Sequence, residues 1–133
     1  MTKTSRYVAP LLVAITLGGT GAEVIGCELK LTLKNGGPDT VTLVQGGALT
    51  AVKKKGSGAW LPVVFPNATG GPATALARNS AVFTTYKAPF GCDEARRVRV
   101  SYMCPTGVSK TEQFPSETGW THKNPLYLTL AGC

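Results

Sequence analysis

The sequence is poor in the residues on which most catalytic and metal sites depend. It contains one histidine, His122, and seven acidic residues among 133. Structural and catalytic metal sites need several histidine, cysteine or carboxylate ligands, and nucleophilic sites need a base beside a hydroxyl or a free thiol. The sequence also lacks a glycine-rich phosphate-binding motif and an aspartate-rich calcium loop. We therefore expect no enzyme, no catalytic residues, no metal site and no cofactor.

Helical patterns are missing as well. No segment keeps apolar residues at helical spacing over three turns. Short alternating or apolar stretches are instead separated by glycine and proline turns, most clearly at residues 96–104, where Val98, Val100 and Tyr102 share one face. About seven such stretches predict an all-β fold, a single antiparallel immunoglobulin-like β-sandwich. A small β-barrel is the alternative.

The N-terminus has the pattern of a secretory signal. Lys3 and Arg6 precede an apolar run at residues 8–17, and small residues follow. This run is about half of the ~20 residues that a membrane-spanning helix requires. We predict that residues 1–22 are cleaved, that residues 23–133 form one domain, and that no transmembrane span remains. The protein is then secreted or periplasmic.

An even number of cysteines in a small exported domain indicates disulfides. Residues 96–104 would span about 30 Å as a strand, which separates Cys92 from Cys104. Strand direction brings Cys133 to the same end as Cys104. The favoured pairs are therefore Cys27–Cys92 and Cys104–Cys133. If the segment after Cys104 is a loop, Cys27–Cys104 and Cys92–Cys133 are the alternative.

The charge is positive. Without Lys3 and Arg6 the chain keeps 12 of its 14 basic residues against 7 acidic ones, a net charge of +5. In an exported protein this excess favours anionic partners of the cell envelope over chromosomal DNA. We expect a protein, a glycan or an anionic envelope component as the partner, and no nucleic acid. The same charge also suits a domain that simply remains soluble.

Two segments are candidate binding sites. The first is the basic turn Lys53-Lys54-Lys55, which is followed by Trp60. An aromatic ring beside lysines can stack on a sugar ring or on a cation, while the lysines attract anionic groups. The alternative is that the lysines protect a sheet edge and that Trp60 belongs to the core.

The second candidate is the loop at residues 115–125, with Trp120, His122 and Lys123. An aromatic residue among polar groups in a loop is typical of recognition surfaces. We expect the Cys104–Cys133 bond to close off residues 105–125, which contain this loop, whereas Trp120 packed under its own loop is the alternative.

The sequence offers a third basic patch and several acidic residues. This patch consists of Arg96, Arg97 and Arg99. Arg97 and Arg99 share one face of a strand, and such a pair can bind carboxylate or phosphate groups. The acidic residues Glu94 and Glu112 are expected to be solvated.

One short segment resembles a known family. Residues 102–107, Tyr-Met-Cys-Pro-Thr-Gly, are similar to the Tyr-x-Cys-x-x-Gly segment of periplasmic inhibitors of c-type lysozyme. The Ser-Gly-x-x-Tyr loop that plugs the target in that family has no counterpart after them, and no family is assigned from this match. The sequence predicts a non-enzymatic binding domain, with an inhibitor of a secreted hydrolase and a small secreted enzyme as alternatives.

Overall fold

The computed structural model describes residues 27–67, 71–72, 74–116 and 118–133, so the predicted signal at residues 1–22 lies outside it. The described residues form nine strands and no helix, and therefore none that is long and apolar enough to cross a membrane. The strands are β1 (Cys27–Asn35), β2 (Val41–Val44), β3 (Ala51–Lys54), β4 (Leu61–Pro62), β5 (Ala75–Leu76), β6 (Ala81–Ala88), β7 (Arg96–Met103), β8 (Ser109–Phe114) and β9 (Leu126–Leu130).

Two sheets share one hydrophobic core. The smaller sheet has the order β6-β1-β9, and the larger one has the order β4-β3-β7-β2-β5 with β8 paired to β7. Both central strands alternate buried and more exposed residues over most of their length. Their inward side chains, among them Leu31 of β1 and Val100 of β7, belong to the same core cluster. Each such side chain contributes about 1.5–3 kcal/mol when it is fully buried.

β2 and β3 are two halves of one interrupted strand along β7. Both run antiparallel to β7, with Val44 opposite Ser101 and Ala51 opposite Arg99. The six residues between them, 45–50, leave the sheet and return. The Thr50 hydroxyl donates to the carbonyl oxygen of Val44 at 2.9 Å, which closes this excursion at its base.

The all-β prediction is confirmed, and the immunoglobulin-like assignment stays a prediction. The expected purely antiparallel arrangement is wrong at one pair, because β1 and β9 run parallel. Parallel neighbours require a crossover rather than a tight turn. Residues 115–125 form the last connection to β9, and they carry the chain from β8 in the larger sheet to β9 in the smaller one.

Two disulfides close opposite ends of β7. Cys27 is bonded to Cys92 and Cys104 to Cys133, with Cα–Cα distances of 4.8 and 5.8 Å. These are the pairs that strand direction favoured. One bond precedes the start of β7 and the other follows its end. Two disulfides are consistent with an extracellular or otherwise oxidising environment.

Candidate functional site

Cations and tryptophans gather on the outer face of the larger sheet. Its strands β3, β7 and β8 present polar side chains there, and two loops each add an aromatic ring. We call this surface the cation–aromatic face; it consists of Lys53, Trp60, Arg97, Arg99, Gln113 and Trp120.

At one end of this face, two cations share the ring of Trp60. The guanidinium carbon of Arg99 lies 4.1 Å from the ring centroid, and the Lys53 Nζ lies 5.5 Å from it. Both distances fall within the ~6 Å range of cation–π attraction. The Arg99 Nε donates to the carbonyl oxygen of Ala48 at 2.8 Å, so the excursion between β2 and β3 orients this guanidinium.

At the other end, Trp120 lies over Arg97. The guanidinium carbon is 4.6 Å from the ring centroid. Arg97 Nε and Nη2 donate to the carbonyl oxygen of Gly119 at 3.1 and 2.5 Å, and Nη1 donates to Gln113 Oε1 at 3.3 Å. Gly119 has a φ of 107°, a backbone conformation that favours glycine. The arginine therefore holds both the ring and the backbone of the loop.

The strand β7 joins the two ends. Arg97 and Arg99 are two residues apart on one face, hence about 6.6 Å along the strand. Lys53 lies directly opposite Arg97 in the β3–β7 register. Lys53 of the basic turn, the arginine pair and Trp120 of the loop, which the sequence predicted in three separate patches, thus form one surface. Lys54 and Lys55 of the basic turn lie outside it.

This surface keeps its positive charge. Among the described residues, the one ion pair within 4 Å is Lys54–Glu94 at 3.9 Å, with side chains 41% and 45% exposed. Such an exposed pair contributes little to stability. It nevertheless corrects the expectation that Glu94 is only solvated. No described carboxylate pairs with Lys53, Arg97 or Arg99. Lys55 is exposed beyond the end of β3.

His122 and Lys123 are not part of this face. The His122 Nδ1 lies 2.7 Å from the carbonyl oxygen of Asp93, and the carbonyl oxygen of Lys123 accepts a hydrogen bond from Arg96. Both residues thus anchor the loop through local contacts. The exposed Lys123 also borders a shallow depression of about 340 Å³, which is lined by Phe114, Pro115, Trp120, Thr121, Lys123, Leu126 and Tyr127.

Arg96 is buried, which corrects its place in the basic patch. It is 0% exposed, and Nη1 and Nη2 donate to the carbonyl oxygens of Lys123 and Cys92 at 2.9 and 2.7 Å. Its guanidinium carbon lies 5.9 Å from the Phe90 ring, its Nε has no partner among the described residues, and burial lowers the pKa of Arg96. Arg96 lies two residues before Val98 and therefore on the same face of β7. The alternation in the sequence thus already indicated a buried position for Arg96.

The hydrogen bonds that anchor the loop at residues 115–125 lie at the Cys27–Cys92 end, while the Cys104–Cys133 bond closes the longer segment that contains this loop. Asn124 accepts a hydrogen bond from Lys30 N at 2.9 Å and donates to the Glu28 carbonyl oxygen at 3.0 Å. Thr121 and Arg96 exchange two backbone hydrogen bonds. No residue pattern predicts the Asn124 contacts, because they join two segments almost a hundred residues apart.

The Cys104–Cys133 end holds a different cluster. The Tyr102 hydroxyl donates to Glu112 Oε2, and the Glu112 carboxylate accepts Ala131 N at 2.9 and 3.1 Å. Gly132 N donates to the Tyr102 oxygen at 3.2 Å. Burial and the bond to Glu112 raise the pKa of Tyr102 to about 12. Glu112 is therefore a structural acceptor, which corrects the expectation that it is solvated.

Neither the cluster at this end nor any other group of described residues brings three or more histidine, cysteine or acidic side chains together as metal ligands.

Comparison of the chain with family models, with curated proteins and with solved structures gave no match.

Proposed function

We propose that the protein is a secreted or periplasmic, non-enzymatic binding domain whose cation–aromatic face holds an anionic polymer such as an acidic glycan. One observation carries this proposal: Lys53, Arg97 and Arg99 lie together between two tryptophan rings without a described carboxylate partner. Clustered charge of one sign attracts ligands of the opposite sign and raises their local concentration.

The cations have different roles. Within the described residues, Lys53 Nζ and the two terminal nitrogens of Arg99 have no hydrogen-bond partner, so they are available for carboxylate, sulfate or phosphate groups. The guanidinium nitrogens of Arg97 instead donate hydrogen bonds to the Gly119 carbonyl oxygen and to Gln113 Oε1. We assign Arg97 as a positioning residue for Trp120, while Lys53 and Arg99 contact the ligand.

The shape of the surface favours a polymer. Small-molecule sites are mostly concave, whereas this site is the open face of a sheet. Its charges and rings follow β7 from Trp120 to Trp60, which suits an extended chain with repeated anionic groups. Cation–π contacts already restrain both rings, and such restraint lowers the entropy cost of binding.

A sulfated polysaccharide such as heparin is a suitable probe, measured by calorimetry at several salt concentrations. The double variant Lys53→Gln/Arg99→Gln removes the two available cations. The matched control, Lys30→Gln/Lys34→Gln, removes the same charge from exposed positions of β1 on the smaller sheet.

We expect the first double variant to bind at least about tenfold more weakly, a loss of ~1.4 kcal/mol, and to lose part of its salt dependence. The control should change the affinity by about twofold or less. Equal losses in the two variants would mean that net charge alone attracts the polymer, and this result would contradict the proposed site.

The alternative function, inhibition of a secreted hydrolase, has less support. An inhibitory loop presents its anchor side chain to the target. Trp120 instead lies on Arg97 and is partly buried.

A further inference from the structure

The strand β6 is an open edge of the smaller sheet. Of the described strands, only β1 pairs with it, along all eight residues from Ala81 to Ala88. An edge of this length is uncommonly exposed, because natural sheets usually protect their edges with charged residues, prolines or covering segments. Here only Lys87, near the end of the strand, carries a charge.

The alternation of hydrogen-bonded and non-hydrogen-bonded pairs between β1 and β6 shows which backbone groups of β6 face outward. Asn35 N donates to Ser80 O at 3.1 Å, and this pair continues the register in which Lys34 lies opposite Ala81. Since alternate pairs of an antiparallel ladder exchange hydrogen bonds, the even-numbered residues of β6 bond to β1. The N–H and C=O groups of the odd-numbered residues then point away from the sheet; these residues are Ala81, Phe83, Thr85 and Lys87.

The other side of β1 supports this assignment. The same alternation directs the backbone N–H of Lys30 away from β6, and Lys30 N indeed donates to Asn124 Oδ1 on the β9 side. The outward groups of β6 have no hydrogen-bond partner among the described residues. Their side chains are exposed too, and the Phe83 ring is 72% exposed.

We propose that β6 pairs antiparallel with β6 of a second copy, about a twofold axis at Thr85, so that two three-stranded sheets become one of six strands. Pairing about this axis matches odd-numbered residues with odd-numbered residues, and the outward N–H groups of Phe83, Thr85 and Lys87 each meet an outward C=O of the second copy. A strand of this kind is therefore complementary to itself, which is the requirement for a twofold interface.

The side chains favour this register. It places Phe83 opposite Lys87 of the partner subunit, where an ammonium group can lie on the exposed ring. It also keeps the two lysines apart. Pro66 and Asn67 border a groove of about 350 Å³ with Ala81, Val82 and Phe83, so the pairing begins at Phe83 rather than at the start of the strand.

The test is the mass of the disulfide-intact chain, residues 23–133, by analytical ultracentrifugation from low micromolar to near-millimolar concentration. Thr85→Pro removes one outward N–H, and an edge strand accepts proline there. Phe83→Lys places like charges opposite each other. The matched control is Tyr127→Lys, because Tyr127 is 73% exposed and also lies opposite Thr32, but on β9.

We expect a concentration-dependent dimer that Thr85→Pro and Phe83→Lys each weaken at least about tenfold, while Tyr127→Lys changes it by twofold or less. Near-ultraviolet circular dichroism checks the fold of each variant; if Thr85→Pro does not fold, Phe83→Lys decides. A chain that stays monomeric at all concentrations overturns the proposal. Equal effects of the two lysine variants overturn it as well, because they would place the contact on the sheet face.

Discussion

The two ends of the molecule use opposite charges for the same task. At the Cys27–Cys92 end, the buried cation Arg96 binds the backbone carbonyl oxygens of two loops. At the Cys104–Cys133 end, the Glu112 carboxylate binds the N–H of Ala131, which lies beyond the last strand. Irregular segments leave backbone groups without sheet partners, and such groups must be satisfied when they are buried. At each end, the charge of the side chain is therefore opposite to the partial charge of the backbone atoms that it binds.

The two ends also support different parts of the molecule. The Arg96 end holds the loop that brings Trp120 to the cation–aromatic face. The Glu112 end fixes the last residues of the chain, and its hydrogen bonds join Tyr102, Glu112, Ala131 and Gly132 rather than Trp120. Damage at the first end should therefore change both stability and ligand binding, whereas damage at the second end should change stability alone.

Removing either disulfide should have the largest effect. The bonds join residues 65 and 29 positions apart, and the chain-entropy model gives roughly 4.3 and 3.6 kcal/mol of unfolding free energy for them. We expect Cys27→Ser/Cys92→Ser to be less stable in urea than Cys104→Ser/Cys133→Ser. The reverse order would show that the Glu112 cluster depends on its disulfide more than the Arg96 cluster does.

Replacing Arg96 should have the next largest effect. Arg96→Met keeps much of the volume but leaves the carbonyl oxygens of Lys123 and Cys92 without their donors. A loss of about 2–4 kcal/mol in unfolding free energy is expected, together with a change in Trp120 fluorescence. A more stable variant would mean that burying the cation costs more than its hydrogen bonds return. Arg78→Met, at an exposed position away from the loop, is the control for lost charge.

Alkaline pH should have the smallest effect, and it should act at the other end. The pKa of Tyr102 is raised to about 12 from an ordinary value near 10, so folding favours the protonated phenol. Its contribution is complete below pH 10 and is lost as the pH rises through 12. Between pH 9 and pH 11 we expect the unfolding free energy to fall by about 1.4 kcal/mol more in the native chain than in Tyr102→Phe. Parallel pH profiles of the two proteins would contradict this assignment.

Local alternation predicted the strands well but not their partners. The two-residue period of β1 and β7 is visible in the sequence because one face of each strand is buried. Nine strands form instead of about seven, partly because β4 and β5, with two residues each, count as strands. Gly46 and Gly47 lie in the segment that separates β2 from β3. Glycine pairs of this kind are also typical of an ordinary turn, so the sequence does not show that both halves follow β7.

The candidate site was predicted in parts. Trp60 and Trp120 were both singled out, yet their contacts with Arg99 and Arg97 depend on which strands and loops are neighbours in space. Residue patterns within a segment do not contain that information. Arg96 is different, because its parity with Val98 already placed it on the buried face.

The excursion at residues 45–50 gives the cation–aromatic face an adjustable part. It supplies the Ala48 carbonyl oxygen that orients Arg99, and the Leu49 carbonyl oxygen that accepts a hydrogen bond from Ser101. The strand halves on both sides keep their own register with β7. Changes in the length of this segment can therefore move the Arg99 guanidinium without shifting the sheet, so a single short loop offers a way to engineer the proposed binding site.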